Sequence, residues 1–210
     1  MRYTGPKLKL CRREGINLFG TEKYDLSKVN RKKLGNSKVN NKLSEFGTQL
    51  REKQKVKRMY QLTERQFSSY YKKASRMSGV LGENMFRMLE MRFDNVIFKS
   101  NFARTIMQAR QFANHAHFLV NGKKVNIPSY QLKIGDIIEI KEKMKESPFY
   151  KNLIEEFKEY ESKNTNGMIS SVKWIDVDAK SLKVAVKEAP TFADFDASMD
   201  IKKIVEFYSK

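Results

Sequence analysis

The stretch HFLVNGKKVNI, from His117 to Ile127, constrains the fold more than any other part of the chain. Phe118 and Val120 alternate with their neighbours, Asn121-Gly122 supplies two residues that tolerate left-handed backbone, and Val125 and Ile127 resume the alternation. Such a run is expected to close as a tight β-hairpin. Its tip then carries Lys123 and Lys124, and the presence of two like charges there asks for an anion.

The rest of the chain supplies the same sign of charge. Lys and Arg number 42 against 24 Asp and Glu, a net +18 over 210 residues. A field of that sign attracts polyanions, nucleic acid first among them. The excess is uneven: residues 1–60 carry a net +12, residues 61–145 a net +8, and the remainder a net −2. No window has the length and apolarity of a signal peptide or a spanning helix, so the chain is expected to act in the cytoplasm with no membrane partner. A single cysteine, Cys11, excludes an internal disulfide, and with only His115 and His117 beside it no closed zinc site is expected. Arg12 and Arg13 would lower that thiol's pKa, yet nothing nearby gives it a task.

Residues 1–47 are rich in Lys, Arg, Asn and Gly, and SKVNRKKLGNSKVNNK has no sustained apolar period. The segment reads as a basic extension that orders on its partner. From Thr48 the pattern becomes helical. TERQFSSYYKKASRM places Phe67, Tyr70, Tyr71, Ala74 and Met77 at steps of three and four, behind a Thr63–Gln66 capping box. Met85, Met88, Leu89, Phe93, Val96 and Ile97 continue the theme, with Gly79 and Gly82 separating this helix from the previous one. Thr105 and Gln108 form a second capping box before a short helix with Ile106, Ala109 and Ala113 inward, ending near Asn114 and His115. After the hairpin, Ile137 to Ile140 reads as a strand and FYKNLIEEFKEYES as a mixed-charge helix. VKWIDVD and LKVAVKE read as a second hairpin with Trp174 in its core, and IKKIVEFYSK as an amphipathic helix. The class is α+β.

No phosphate-cradling Gly loop, nucleophile elbow or metalloprotease helix motif is present, and no enzyme is expected. LREKQKVKR sets five positive charges, Arg51, Lys53, Lys55, Lys57 and Arg58, against Glu52 alone, a pattern expected to face phosphate. Arg110, Gln111 and Asn114 of the short helix, followed by Lys123 and Lys124, would form a second polar and basic edge that grips a backbone by shape.

RYTGPKLKLCRREGINLF, LREKQKVKRMY, ERQFSSYYKKA, GENMFRMLEMRFDNVIF, ARQFANHAHFLVNGKKVNIPSYQ and the terminal VEFYSK together resemble the bacterial small-subunit ribosomal protein four, or S-four, family over almost the whole chain. The hairpin stretch also resembles the alpha-L RNA-binding motif. The resemblance implies a primary binder of small-subunit (16S) rRNA that seats at a helical junction, nucleates assembly of the subunit body and, with ribosomal protein S-five, influences translational accuracy. It implies a basic extension over 1–47, a helical domain over 48–91 completed by 186–210, and an alpha-L and antiparallel-sheet domain over 92–185. No cofactor, metal or homo-oligomer is implied. The expected rRNA contacts are Lys7, Lys9, Arg12, Arg13, Arg51, Lys53, Lys55, Lys57, Arg58, Arg65, Tyr70, Arg104, Thr105, Arg110, Gln111, Asn114, His115, His117, Asn121, Lys123 and Lys124, with Lys38 and Lys42 at an mRNA entry. The chain departs from the family in keeping only Cys11 where some members hold four zinc ligands. Its arm is also shortened, and Ile106-Met107 stands where an arginine is common, with Arg104 as the compensating charge. Alpha-L motifs also occur in pseudouridine synthases, which append a separate catalytic domain, and a junction binder can also repress its own messenger.

Overall fold

A computed structural model describes residues 3, 5–19, 22–24, 26, 43–163, 172–191, 194 and 199–209. Two compact units emerge, Met1–Met85 with Phe195–Lys210 and Phe86–Asp194. The division falls inside a helix.

The first unit begins with α1 (Lys7–Glu14), which opens after Pro6 and closes on Gly15 in left-handed conformation, whose N–H donates to the Cys11 carbonyl at 2.8 Å. Leu10, Cys11, Leu18 and Phe19 are buried together, with Tyr24 from a 3-10 turn at Glu22–Tyr24 packed on them. Part of the basic extension is folded in this structure, where four apolar residues at helical and turn spacing give it a small core. The segment 27–42, whose polarity prompted the expectation of disorder, lies outside the described residues. Cys11 is buried as well, and burial pushes its thiol pKa up, outweighing the backbone hydrogen bonds that lower it, so the lowering expected from Arg12 and Arg13 is not what decides it.

Helix α2 (Glu45–Met59) starts three residues before Thr48 because Ser44 caps it, accepting from the Gly47 N–H at 3.2 Å. Helix α3 (Glu64–Ala74) has the expected capping box at Thr63 and Gln66, and turns Phe67, Tyr70 and Ala74 inward. Met77, past the helix end, is exposed. Helix α9 (Ile201–Ser209) lies against α2 and α3: the Gln49 amide donates to Glu206 at 3.0 Å, the Tyr208 hydroxyl donates to Glu64 at 2.8 Å, and Tyr71 stacks on Tyr208 at 4.8 Å. Gly79, with φ of +99°, is the separator the sequence called for. Gly82 is not one: it lies within α4 (Leu81–Glu90), and a Cβ there would meet the Ile201 side chain at 2.5 Å. That glycine lets α4 and α9 approach.

In the second unit, α5 (Phe93–Lys99) and α6 (Ile106–Asn114) pack on an antiparallel sheet of order β2-β1-β3-β5-β4. The strands are β1 (Phe118–Val120), β2 (Lys123–Lys124), β3 (Ile137–Ile140), β4 (Ile175–Asp178) and β5 (Lys183–Val186). Between β3 and β4 run α7 (Glu142–Lys145) and α8 (Pro148–Lys163). Alternate residues Phe118, Val120, Ile138, Ile140, Val184 and Val186 face a core shared with Phe93, Ile97, Phe102, Tyr150, Phe157 and Trp174. Period-two patterning and β-branched content dictate this one-sided burial.

Candidate nucleic-acid interface

The hairpin forms as its turn residues require. Asn121 (φ +50°) and Gly122 (φ +74°) are both left-handed, and Val120 pairs with Lys123. Strand β2 is two residues long and ends the sheet, so Lys123 and Lys124 are a charged, exposed edge. Charged edges discourage strand addition, which is one reason for lysines here. Val125 still packs on the core, but Ile127 is exposed: the backbone leaves the sheet after Lys124, and the alternation ends there.

A part-buried tie aims this hairpin. The Asn121 amide donates to Asp136 at 2.8 Å, its carbonyl oxygen accepts from the Ile137 N–H at 2.9 Å, and Asp136 also accepts from the Lys133 N–H at 2.7 Å. Asn121, expected to touch RNA, is thus engaged in fixing the turn to the start of β3. The entry to β1 is equally determined. Ala116 adopts φ +54°, its N–H donates to Ala113, and the His117 N–H donates to Phe112, closing α6 in a Schellman-type cap that sends the chain directly into the strand.

Helix α6 presents Gln111, Asn114 and His115 to solvent. Thr105 caps it, accepting from the Gln108 N–H at 3.2 Å, while Gln108 reaches past the cap to accept from Arg104 N–H at 2.8 Å. The expected capping box is therefore displaced by one residue. The Arg104 guanidinium lies 2.6 Å from Glu156, both side chains exposed, a pair weak enough for a phosphate to replace. Arg110 is held from within: its Nε and Nη2 donate to one oxygen of the fully buried Asp94 at 2.9 and 2.8 Å, and Arg92 donates to the same carboxylate at 3.0 and 2.8 Å. Asp94 lies inside the quoted RFDNV motif and was missed as a positioning residue; an acid between arginines was the available signal. His117 is half-buried, stacks on Phe112 at 4.8 Å, and places Nδ1 3.0 Å from the Tyr150 hydroxyl. Burial, with the charges of His115 and Lys141, lowers its pKa, so it packs as a neutral ring.

In the first unit the basic run of α2 is engaged internally. Lys53 reaches Glu64 at 2.8 Å and lies over the Phe207 ring at 4.2 Å; Lys57 also reaches Glu64 at 2.8 Å, and Lys55 reaches Glu52 at 2.7 Å. Arg58 and Arg51 share Glu14 of α1, whose side chain is only 4 % exposed. Lys53 and Lys55 are buried, as is Tyr70, whose ring belongs to the α3 core instead of offering a face for a base. Burial alone would raise the Glu64 pKa, but hydrogen bonds from Lys53, Lys57 and Tyr208 outweigh it and hold the group at about 2. On α1, Lys9 and Arg13 are exposed; Lys7 lies over Phe19, and Arg12 is half-buried. Lys38 and Lys42 lie outside the described residues.

A capped helix feeding a lysine-tipped hairpin is the arrangement of an RNA-binding module, and comparison with known proteins gives the same class. Residues 91–138, α5 through the start of β3, match the S4 domain, and residues 2–90 match the ribosomal protein S4/S9 N-terminal domain. The small ribosomal subunit protein uS4 of Lachnospira eligens is 47 % identical over 98 % of this chain and 97 % of its own. Those of Heliobacterium modesticaldum and Thermotoga maritima are each 42 % identical, over 100 % of this chain and 99 % of theirs. The chain belongs to the small ribosomal subunit protein uS4 family. It is a structural, RNA-binding ribosomal protein and not an enzyme.

Proposed function

We propose that the chain is a primary binder of small-subunit rRNA, that it seats at a helical junction and helps to nucleate the body of the subunit, and that it acts there as one copy. Ribosomal protein S-five is the proposed protein neighbour through which it influences translational accuracy, and Lys38 and Lys42 are the proposed contacts with entering mRNA.

The observation that carries this reading is the exposed edge of the second unit. Lys123 and Lys124 project from a rigidly tied turn, and the helix leading into the same hairpin exposes Gln111, Asn114 and His115. Such groups address phosphate and sugar, which fix register on a folded RNA without reading base sequence. Arg104, just ahead of α6, and the Asp94-anchored Arg110, midway along it, add charge in this unit.

The test is binding of the purified chain to a small-subunit five-way-junction transcript against a plain duplex of equal length, across a salt series. A junction preference that survives moderate salt supports the proposal. Equal binding to both, lost together as salt rises, leaves a generic polycation and overturns it.

A further inference from the structure

The densest basic run of α2 and the most exposed basic face among the described helices of the first unit are on different helices. All five cations of α2 meet carboxylates, from Glu14, Glu52 and Glu64. Helix α3 differs. Arg65, Lys72, Lys73 and Arg76 are all exposed, and none of them has an ion pair or hydrogen bond from its side chain among the described residues. At 100° per residue, Arg65, Ser69 and Lys72 fall on one stripe with Lys73 beside it, directly opposite the buried Phe67, Tyr70 and Ala74, and the exposed Arg76 continues the basic run just past the helix end. Glu64 is the one acid of the helix, and it is turned towards α2 and α9, where Lys53, Lys57 and Tyr208 occupy it.

We propose that this stripe, Arg65, Lys72, Lys73 and Arg76, is the phosphate-binding surface of the first unit and that the α2 run is not. The inference rests on the rRNA-binding reading above and names the residues that serve it in this unit. Two features favour an RNA backbone as the occupant. The charges are of one sign with no acid on that face, and they are spread along the axis from Arg65 to Arg76. At about 1.5 Å rise per residue, Arg65 and Lys72 stand about 10 Å apart along the helix, far enough to reach separate phosphates. The bland account assigns Lys72 and Lys73 to the helix C-terminus, whose partial negative charge they offset. That account covers neither Arg65, in the first turn where a cation is unfavourable, nor Arg76 beyond the helix end.

The test uses the full chain carrying Arg65→Gln, Lys72→Gln, Lys73→Gln and Arg76→Gln, with a Lys72→Gln/Arg76→Gln pair held in reserve should the fourfold variant fold poorly. The readout is the slope of log affinity for the junction transcript against log salt, with Lys123→Gln/Lys124→Gln run in parallel. If each cation neutralises one phosphate, the fourfold variant loses about 3 from the slope and the pair about 1.5, with thermal melting close to the parent. A parent that shows no junction preference overturns the rRNA reading and this inference with it. A parent that prefers the junction, a hairpin variant that loses slope and an α3 variant that keeps it overturn this inference alone.

Discussion

Helix α2 and the β1–β2 hairpin carry the same kind of side chain and put it to different ends. In α2, five cations in eight residues meet three carboxylates drawn from α1, α3 and α2 itself, and two of the lysines are buried. In the hairpin, two lysines stand exposed with no ion pair among the described residues, on a turn fixed by Asn121 and Asp136. Charge density along a sequence thus says little about charge available to a partner. What decides is where the fold brings its acids.

The comparison can be broken first where a cation depends most on its acid. Asp94→Ala leaves Arg92, 3 % exposed, without its carboxylate, and removal of one partner from a buried pair costs about 3 to 5 kcal/mol. Urea unfolding should show the loss; a variant as stable as the parent would mean that these cations do not need their acids. Glu14→Ala frees Arg58 and Arg51 and should cost about 1.5 to 3 kcal/mol, loosening α1, where hydrogen exchange should rise selectively.

A gentler perturbation is acid. Because the Glu64 carboxyl is lowered from its ordinary 4.5 to about 2, the stability it adds is fully present above pH 4.5 and fades as pH falls from there through about 2. Melting followed by circular dichroism should lose ground over that window in the parent, and Glu64→Gln should flatten this part of the curve. The smallest structural effect belongs to the hairpin. Lys123→Ala/Lys124→Ala should change stability by within about 0.5 kcal/mol while removing about 1.5 from the salt slope of RNA binding. A large fall in melting temperature would place these lysines with the paired class.

Local signals carried much of the fold. The Thr63 box, the Asn121-Gly122 turn and the inward alternation of Phe118 and Val120 are written within a few residues of one another, and so are their physical causes. What the sequence withheld is what depends on distant partners. Arg58 meets an acid 44 positions away, and the Gly82 approach to Ile201 joins residues separated by more than half of the chain. No window of LREKQKVKR could reveal either. The α3 stripe was closer to legible, since the face opposite Phe67, Tyr70 and Ala74 follows from the same periodicity that identifies the core.

The central claim is that the paired cations of α2 hold the fold while the unpaired ones of α3 and the hairpin meet RNA. Lysine reactivity towards an amine-acylating reagent, read residue by residue with and without the junction transcript, tests it directly. Lys72, Lys73, Lys123 and Lys124 should react quickly in the free chain and become protected on RNA, while Lys53, Lys55 and Lys57 stay slow in both states. Fast reaction at Lys53, Lys55 and Lys57 that RNA suppresses, with Lys72 and Lys123 indifferent to RNA, would contradict it.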